Sequence, residues 1–320
     1  MLDVPCHAVG SHVAWLFPGQ GSQHVGMGKQ LAERFAAAAH VFDEASDALG
    51  VDLRALAWDS PPDELDQTIN AQPTLLTASI AAFASARQAV GHNLAAPIAV
   101  AGHSLGEYSA IVAAGGLSLA DGVRLVRKRG ELMQAAAAES GRGGMAAVIG
   151  LDAAAITTAL DGTGLVVAND NAPGQVVISG PLDAMPAATQ TLKSAGAKRV
   201  IPLRVSGAFH SPAMRPVAPK LEAALGTARW DDLRHAVIAN VDAEPHVRPT
   251  EMRALLERQV WSPVRWVDVI RRAKEMGADA FVEFGPGSVL TSLAKRIAPG
   301  AKTANVNDAA SLEASLEVLR

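Results

Sequence analysis

The chain is short of the features that mark several common classes of protein. Its 320 residues include one cysteine, Cys6. A single thiol cannot close an internal disulfide, so a disulfide-stapled scaffold is excluded and a reducing compartment is expected. A basic excess is also missing: 28 Lys and Arg stand against 32 Asp and Glu, for a formal net charge of −4. Nucleic-acid and anionic-membrane binding usually show as such an excess, so neither partner is expected. No apolar run approaches the ~20 residues that span a bilayer. The opening MLDVPCHAVGSH has neither the basic nor the apolar part of a secretion signal, and the chain reads as cytoplasmic. Metal-ligand spacing, a Walker loop and a dinucleotide fingerprint are absent too. The glycine-rich PGQGSQ, Pro18 to Gln23, lacks the lysine of a phosphate loop and the spacing of a Rossmann turn. No metal and no permanently bound cofactor is therefore expected.

What is present is an ordinary globular composition, 49% hydrophobic and 19% charged. A chain of this length buries ~75% of its unfolded surface and needs no covalent staple. At ~100–200 residues per domain it suggests two structural units. The first strand is expected at HVAWLF, His12 to Phe17, followed by the glycine loop and a helical stretch from Met27 to Leu49. A helix should begin near Pro73, a residue suited to a first turn. PIAVAG reads as a short buried strand and GEYSAIVAAG as the helix behind it. Short apolar strands alternating with longer helices predict α/β layers on a mostly parallel sheet.

The middle of the chain has another rhythm. GMAAVIGL is a strand, DAAAITTAL a helix with Asp152 as N-cap, and LVVAN and QVVIS two strands joined by DNAPG. LDAMPAATQTLKSAG is a helix with Pro186 in its first turn, and KRVIPLRV is the last strand. The order β-α-β-β-α-β is ferredoxin-like. The expected fold is thus α/β, a hydrolase-like, mostly parallel sheet with an inserted ferredoxin-like subdomain. Residues 12–134 and 206–320 would form the large unit, 135–205 the small one, and 1–11 a loose extension.

The main chemical signal is Gly102-His103-Ser104-Leu105-Gly106, a G-x-S-x-G elbow with a strand before it and a helix after it. The glycines have a steric reason: side chains there would collide with the flanking strand and helix. The turn lifts the Ser104 hydroxyl above the sheet, and the helix N-terminus beneath favours developing negative charge. The alternative is a loop serine near a helix cap. A serine nucleophile needs a base. Of nine histidines, His103 adjoins the serine and should point away. His210, in SGAFHSPAM, sits on a loop constrained by small residues and proline; it is either the base or an exposed bystander. An esterase of the α/β-hydrolase type runs Ser, then acid, then a late His. Here His246 is the last histidine, which weakens that reading.

FPGQGSQ, AQPTLLTAS, AGHSLGEYSA, RLVRKRGELMQ, GMAAVIGL, NAPGQVVISG, GAFHSPAM, NVDAEP, RQVWSPVRW and EFGPGSVL occur in that order. Together they make the chain similar to the malonyl-CoA:acyl carrier protein transacylases of bacterial fatty-acid synthesis, and to the related acyltransferase domains of polyketide synthases. The resemblance implies that Ser104 is acylated and that His210 takes its proton. It implies a main-chain carbonyl at or near Gln259, in place of a carboxylate, as the group that orients the imidazole. The backbone N–H groups of Leu105 and Gln20 would form the oxyanion hole. Malonyl-CoA would be the substrate and holo acyl carrier protein the acceptor, in a ping-pong reaction of a monomeric enzyme. A polyketide-pathway acyltransferase or a serine hydrolase is the alternative.

Two more residues follow from that resemblance. Arg129 would hold the malonyl carboxylate, a role for which the guanidinium fork is suited; the bland reading is a solvated basic face shared with Arg124, Arg127 and Lys128. Phe209 would crowd an α-methyl, or else merely pack under its loop. Carrier proteins are acidic, so basic residues near the mouth are expected, with Lys193, Lys198, Arg199, Arg271 and Arg272 as candidates.

Overall fold

The computed structural model describes residues 12–139, 141–205 and 207–320. Cys6 and the expected extension 1–11 lie outside the described residues. Two sheets carry the fold. The larger contains β1 (Val13–Phe17), β2 (Ala99–Gly102), β7 (Val237–Ile238), β8 (Pro245–His246), β9 (Ala280–Phe284) and β10 (Lys302–Val306), in the order β10-β9-β1-β2-β7-β8. Its neighbours pair in parallel except β7 with β8. The smaller contains β3 (Gly143–Ile149), β4 (Val166–Ala172), β5 (Gln175–Pro181) and β6 (Arg199–Pro202), all antiparallel, in the order β4-β5-β3-β6. With helices Ala153–Ala159 and Met185–Ser194 between its strands, this is the ferredoxin-like order.

Period-two alternation explains why β1 sits mid-sheet. Val13, Trp15 and Phe17 face one apolar cluster, while Ala14 and Leu16 face a second. Helices cover both faces, so every residue of the strand is buried. The first cluster draws on the long helix Thr68–Val90, and the second on helices Trp266–Glu275 and Val289–Ile297. The small sheet has its own core of Ala146, Val148, Ile156, Val176, Ile178 and Leu192. Its opposite face puts Met145, Ala168 and Val177 into the main cluster. The helix Leu119–Glu139 runs unbroken across position 135, and β3 starts only at Gly143.

Two helices differ from expectation. The stretch from Met27 to Leu49 is two helices, Lys29–Arg34 and Ala36–Leu49. Phe35 between them is extended (φ −122°, ψ 117°), and its ring packs against the main core. No glycine or proline marks that break. Pro73 is not in a first turn either; it lies inside Thr68–Val90. A proline there leaves the carbonyl four residues back without its helical donor. That carbonyl belongs to Ile69, and it accepts from Arg127 Nη1 at 3.1 Å. A side chain of the neighbouring helix replaces the lost bond. Asp152 caps its helix as expected, accepting from Ala155 N at 2.8 Å.

Candidate active site

The elbow follows directly from β2. A Cβ on Gly102 would fall on the Gly106 carbonyl, and one on Gly106 would fall on the Phe17 carbonyl oxygen. Only glycine lets the strand, the turn and helix Gly106–Ala113 approach this closely. Ser104 between them takes φ 51°, a left-handed conformation that costs a non-glycine residue of order 1–3 kcal/mol. A brace holds the turn in that conformation. Asn240, just beyond β7, accepts from Ser104 N at 2.7 Å and donates from Nδ2 to Gly102 O at 2.7 Å.

His210 also has positive φ, 55°. Its ring is buried and spans two partners. Nδ1–H donates to the main-chain carbonyls of Gln259 at 2.9 Å and Ser262 at 3.2 Å. That fixes the tautomer, so the Nε2 lone pair faces Ser104 Oγ at 2.7 Å. The carbonyl-bearing loop is itself anchored to the small sheet. Val264 N donates to Ala168 O at 2.9 Å, and Asp170 N donates to Val264 O at 2.9 Å. The His210 pKa is pushed down to about 3, first by burial and then by the Arg129 charge. The imidazole is therefore neutral, with Nε2 unprotonated and facing the serine hydroxyl.

Arg129 is fully buried. Its Nη2 donates to Ser104 Oγ at 3.1 Å and to Gln259 Oε1 at 2.9 Å, and its Nη1 donates to Gln72 Oε1 at 2.9 Å. Its Nε–H has no hydrogen-bond partner among the described residues. The other basic residues of that helix go elsewhere: Arg124 reaches the Ala48 carbonyl, Arg127 bonds Ile69 O and Asn70 Oδ1 of the neighbouring helix, and Lys128 pairs with Glu131 at 3.2 Å on the surface. The run therefore splits, and Arg129 alone of these four points at the serine.

Leu105 follows Ser104 directly in the elbow, and Gln20 lies in the glycine loop. Gly19 packs so tightly on the His103 carbonyl that a Cβ would overlap it, which brings the glycine loop against the elbow. Gln20 Oε1 accepts from Thr68 Oγ1 at 3.0 Å, and Thr68 Oγ1 in turn accepts from Gln72 Nε2 at 2.8 Å. The loop is thereby linked through Gln72 to Arg129. His103 turns away: Nε2 meets Asn171 Oδ1 at 2.8 Å and the ring lies beside Trp266. Phe209 is buried within the main apolar cluster, next to Gly207. Lys193, Lys198 and Arg199 are exposed. Arg271 lies 3.8 Å from Asp268, and Arg272 pairs with Glu244 and Glu275.

Four contributions escaped the sequence reading. Gln72 and Asn240 lie within AQPTLLTAS and NVDAEP, where nothing local states what they face. The Gln259 side chain donates to Ser104 O at 2.9 Å and to Glu107 Oε2 at 3.0 Å. Glu107 is fully buried, and burial pushes its pKa up to about 7. The one available signal was Glu107 itself, a carboxylate inside the apolar helix GEYSAIVA.

Residues 14–313 match the family described as acyl transferase domain. The malonyl CoA-acyl carrier protein transacylase of Bacillus subtilis (strain 168) is 43% identical over 315 residues, which is 97% of this chain and 98% of that protein. An acyl carrier protein S-malonyltransferase crystal structure from Vibrio cholerae O1 superposes with a TM-score of 0.90 at 44% identity, covering 95% of this chain and 99% of that one. A malonyl-transacylase solved in complex with a type II polyketide synthase acyl-carrier protein gives a TM-score of 0.90 at 43% identity, covering 96% and 99%.

Proposed function

The chain belongs to the acyl transferase domain family, and from that membership we infer that it transfers malonyl groups from malonyl-CoA to acyl carrier protein. Ser104 Oγ attacks the thioester carbonyl while His210 Nε2 takes its proton. The tetrahedral oxyanion is received by the N–H groups of Leu105 and Gln20, donors that contribute about 3–4 kcal/mol each. The proton returns to the departing coenzyme A sulfur. His210 then deprotonates the phosphopantetheine thiol, which attacks the malonyl ester; the second oxyanion collapses by breaking the bond to Ser104 Oγ, which takes the proton back from His210.

A peptide carbonyl behind His210 suits this chemistry. It orients the ring without offering a full negative charge to the imidazolium. The first leaving group and the second attacking group are thiols, whose pKa of about 8.5 makes them far easier to expel and activate than an amine. A malonyl carboxylate on Arg129 also offsets the cation that holds His210 down. Substrate binding would thus raise the basicity of the group that needs it.

The observation that carries malonyl as the acyl group is the burial of Arg129 beside the nucleophile, 3.1 Å from Ser104 Oγ. A buried guanidinium is costly without an anionic partner, and malonyl brings one where acetyl does not. Phe209, next to His210 in sequence, is read as crowding an α-methyl, and Phe209→Ser should raise methylmalonyl loading. We place the enzyme in fatty-acid synthesis, in the cytoplasm, as a monomer docking carrier protein on exposed basic residues such as Lys193, Lys198 and Arg199. No helix among the described residues is long and apolar enough to cross a membrane.

Intact mass after incubation with malonyl-CoA or acetyl-CoA tests the reading. A malonyl adduct should form and be lost in Ser104→Ala, with far less acetyl adduct. Holo acyl carrier protein should then discharge the adduct rapidly. Rapid discharge by water alone would identify a hydrolase instead.

A further inference from the structure

The site contains a carboxylate that this mechanism does not use. Glu107 is fully buried one turn behind Ser104. A buried carboxylate is costly unless hydrogen bonds or an opposite charge compensate it. Its Oε2 accepts from Asn240 N at 2.9 Å and from Gln259 Nε2 at 3.0 Å. Its Oε1 is buried without a hydrogen-bond partner among the described residues.

Gln259 is where the parts of the site converge. Its main-chain carbonyl holds His210, its Oε1 receives Arg129 Nη2–H, and its Nε2 donates to Ser104 O and to Glu107. A primary amide has one accepting end and one donating end of nearly equal size, so its partners alone decide which way round it sits. Turned over, it would set its NH2 against the N–H donors of Arg129. The Ser104 carbonyl resists that only in part, because it is already engaged by Glu107 N at 3.1 Å. Glu107 Oε2 completes the lock by presenting an acceptor on the donor side.

We propose that Glu107 is a positioning residue of the malonyl-transfer site, one that locks the Gln259 amide and, through it, the Arg129 fork that receives the substrate carboxylate. It acts through Gln259 and does not touch substrate. The proposal rests on the reading of Ser104 and Arg129 as the acylation site. Its consequence is specific: loss of the acceptor should loosen Arg129 and so harm malonyl more than acetyl.

The test compares Glu107→Gln, Glu107→Asp and Glu107→Met with the parent protein. The readouts are acyl-serine formation from malonyl-CoA and acetyl-CoA by rapid quench and intact mass, the KM for malonyl-CoA, and circular dichroism. Gln keeps an acceptor and should hold the malonyl-over-acetyl ratio to within about threefold of the parent, whereas Asp (retracted by one methylene) and Met (only a weak thioether acceptor) should each lower it about tenfold or more with KM raised. A folded Asp or Met variant with its ratio intact overturns the proposal, as does a Gln variant that loses as much as Met. Should Met fail to fold, the Asp variant decides. A parent that never acquires malonyl on Ser104 sinks the functional reading first. A parent that does, beside an Asp variant that keeps its ratio, sinks only the positioning role.

Discussion

His210 Nε2 lies 2.7 Å from Ser104 Oγ, while the other ring nitrogen is held by peptide carbonyls rather than by a carboxylate. The arrangement sets a clear pH expectation. The groups facing His210 are Arg129, which opposes its protonation, and His103, which adds slightly to that opposition. With its pKa near 3, His210 stays neutral throughout the working range. Acyl-serine formation from malonyl-CoA should therefore be flat between about pH 5.5 and 7.5, without the limb near 6.5 that an ordinary histidine would give. His210→Ala should lower it roughly a thousandfold. Stopped-flow release of coenzyme A across that range is the measurement, and a wild-type limb near 6.5 would contradict the burial argument.

Arg129→Ala should separate the two acyl groups. Malonyl loses the buried cation read as its carboxylate's partner, so its kcat/KM should fall about 100-fold or more. Acetyl makes no such pair, and its loading should hold or rise. Arg129→Lys should recover little, because Nη1 and Nη2 serve separate acceptors that one ammonium cannot span. Steady-state kinetics with both thioesters check this. Equal losses for malonyl and acetyl would mean that Arg129 serves the serine and not the substrate.

Asn240→Ala removes both halves of the elbow brace. Ser104 N and Gly102 O would each lose a bond of 2.7 Å, at a cost of about 1–3 kcal/mol apiece. The left-handed Ser104 would relax, so activity should fall further than stability alone accounts for. Thermal unfolding beside acylation rates tests this. Asn240→Asp keeps the acceptor for Ser104 N and should retain more activity than Ala.

Gly106→Ala places a methyl group on the Phe17 carbonyl oxygen. No rotamer relieves a backbone clash, so strand and helix must separate. The cost should be about 3 kcal/mol or more, lowering Tm by roughly 5 °C or more in a thermal melt. An unchanged Tm would show that the two elements are not this closely packed.

The parts legible in the sequence share a cause: they are local. The elbow is a five-residue pattern between a strand and a helix, and the ferredoxin-like unit is an order of elements along the chain. His210, Arg129 and the carbonyl at Gln259 became assignable only through resemblance to a family, because nothing near them states what they face. What stayed hidden is long-range. Gln72 meets Arg129 across 57 residues, and Asn240 meets Ser104 across 136. Such pairs leave no periodicity. The same reason hid the true place of Pro73, whose compensation comes from Arg127 in another helix, and the strands β7 and β8, two residues each.

Glu107 also leaves a thermodynamic signature separate from catalysis. Its folded pKa of about 7 stands above the unfolded value near 4.5, chiefly through burial, which outweighs the bonds from Asn240 and Gln259 and the charge of Arg129; the Asp242 charge raises it further. Between those values the folded state holds a proton that the unfolded state has released. The linked stability is complete below the unfolded pKa and is lost as pH rises through the folded one. Its ceiling is about 3 kcal/mol. His210 works in the opposite sense, since its lowered pKa makes stability rise with pH up to its unfolded value. Subtracting Glu107→Gln from the parent cancels that term. Urea unfolding at about pH 5 and 8 should show the parent losing stability relative to Glu107→Gln as pH rises. A difference that stays constant would mean that the Glu107 carboxyl is as free to ionise in the fold as in the open chain.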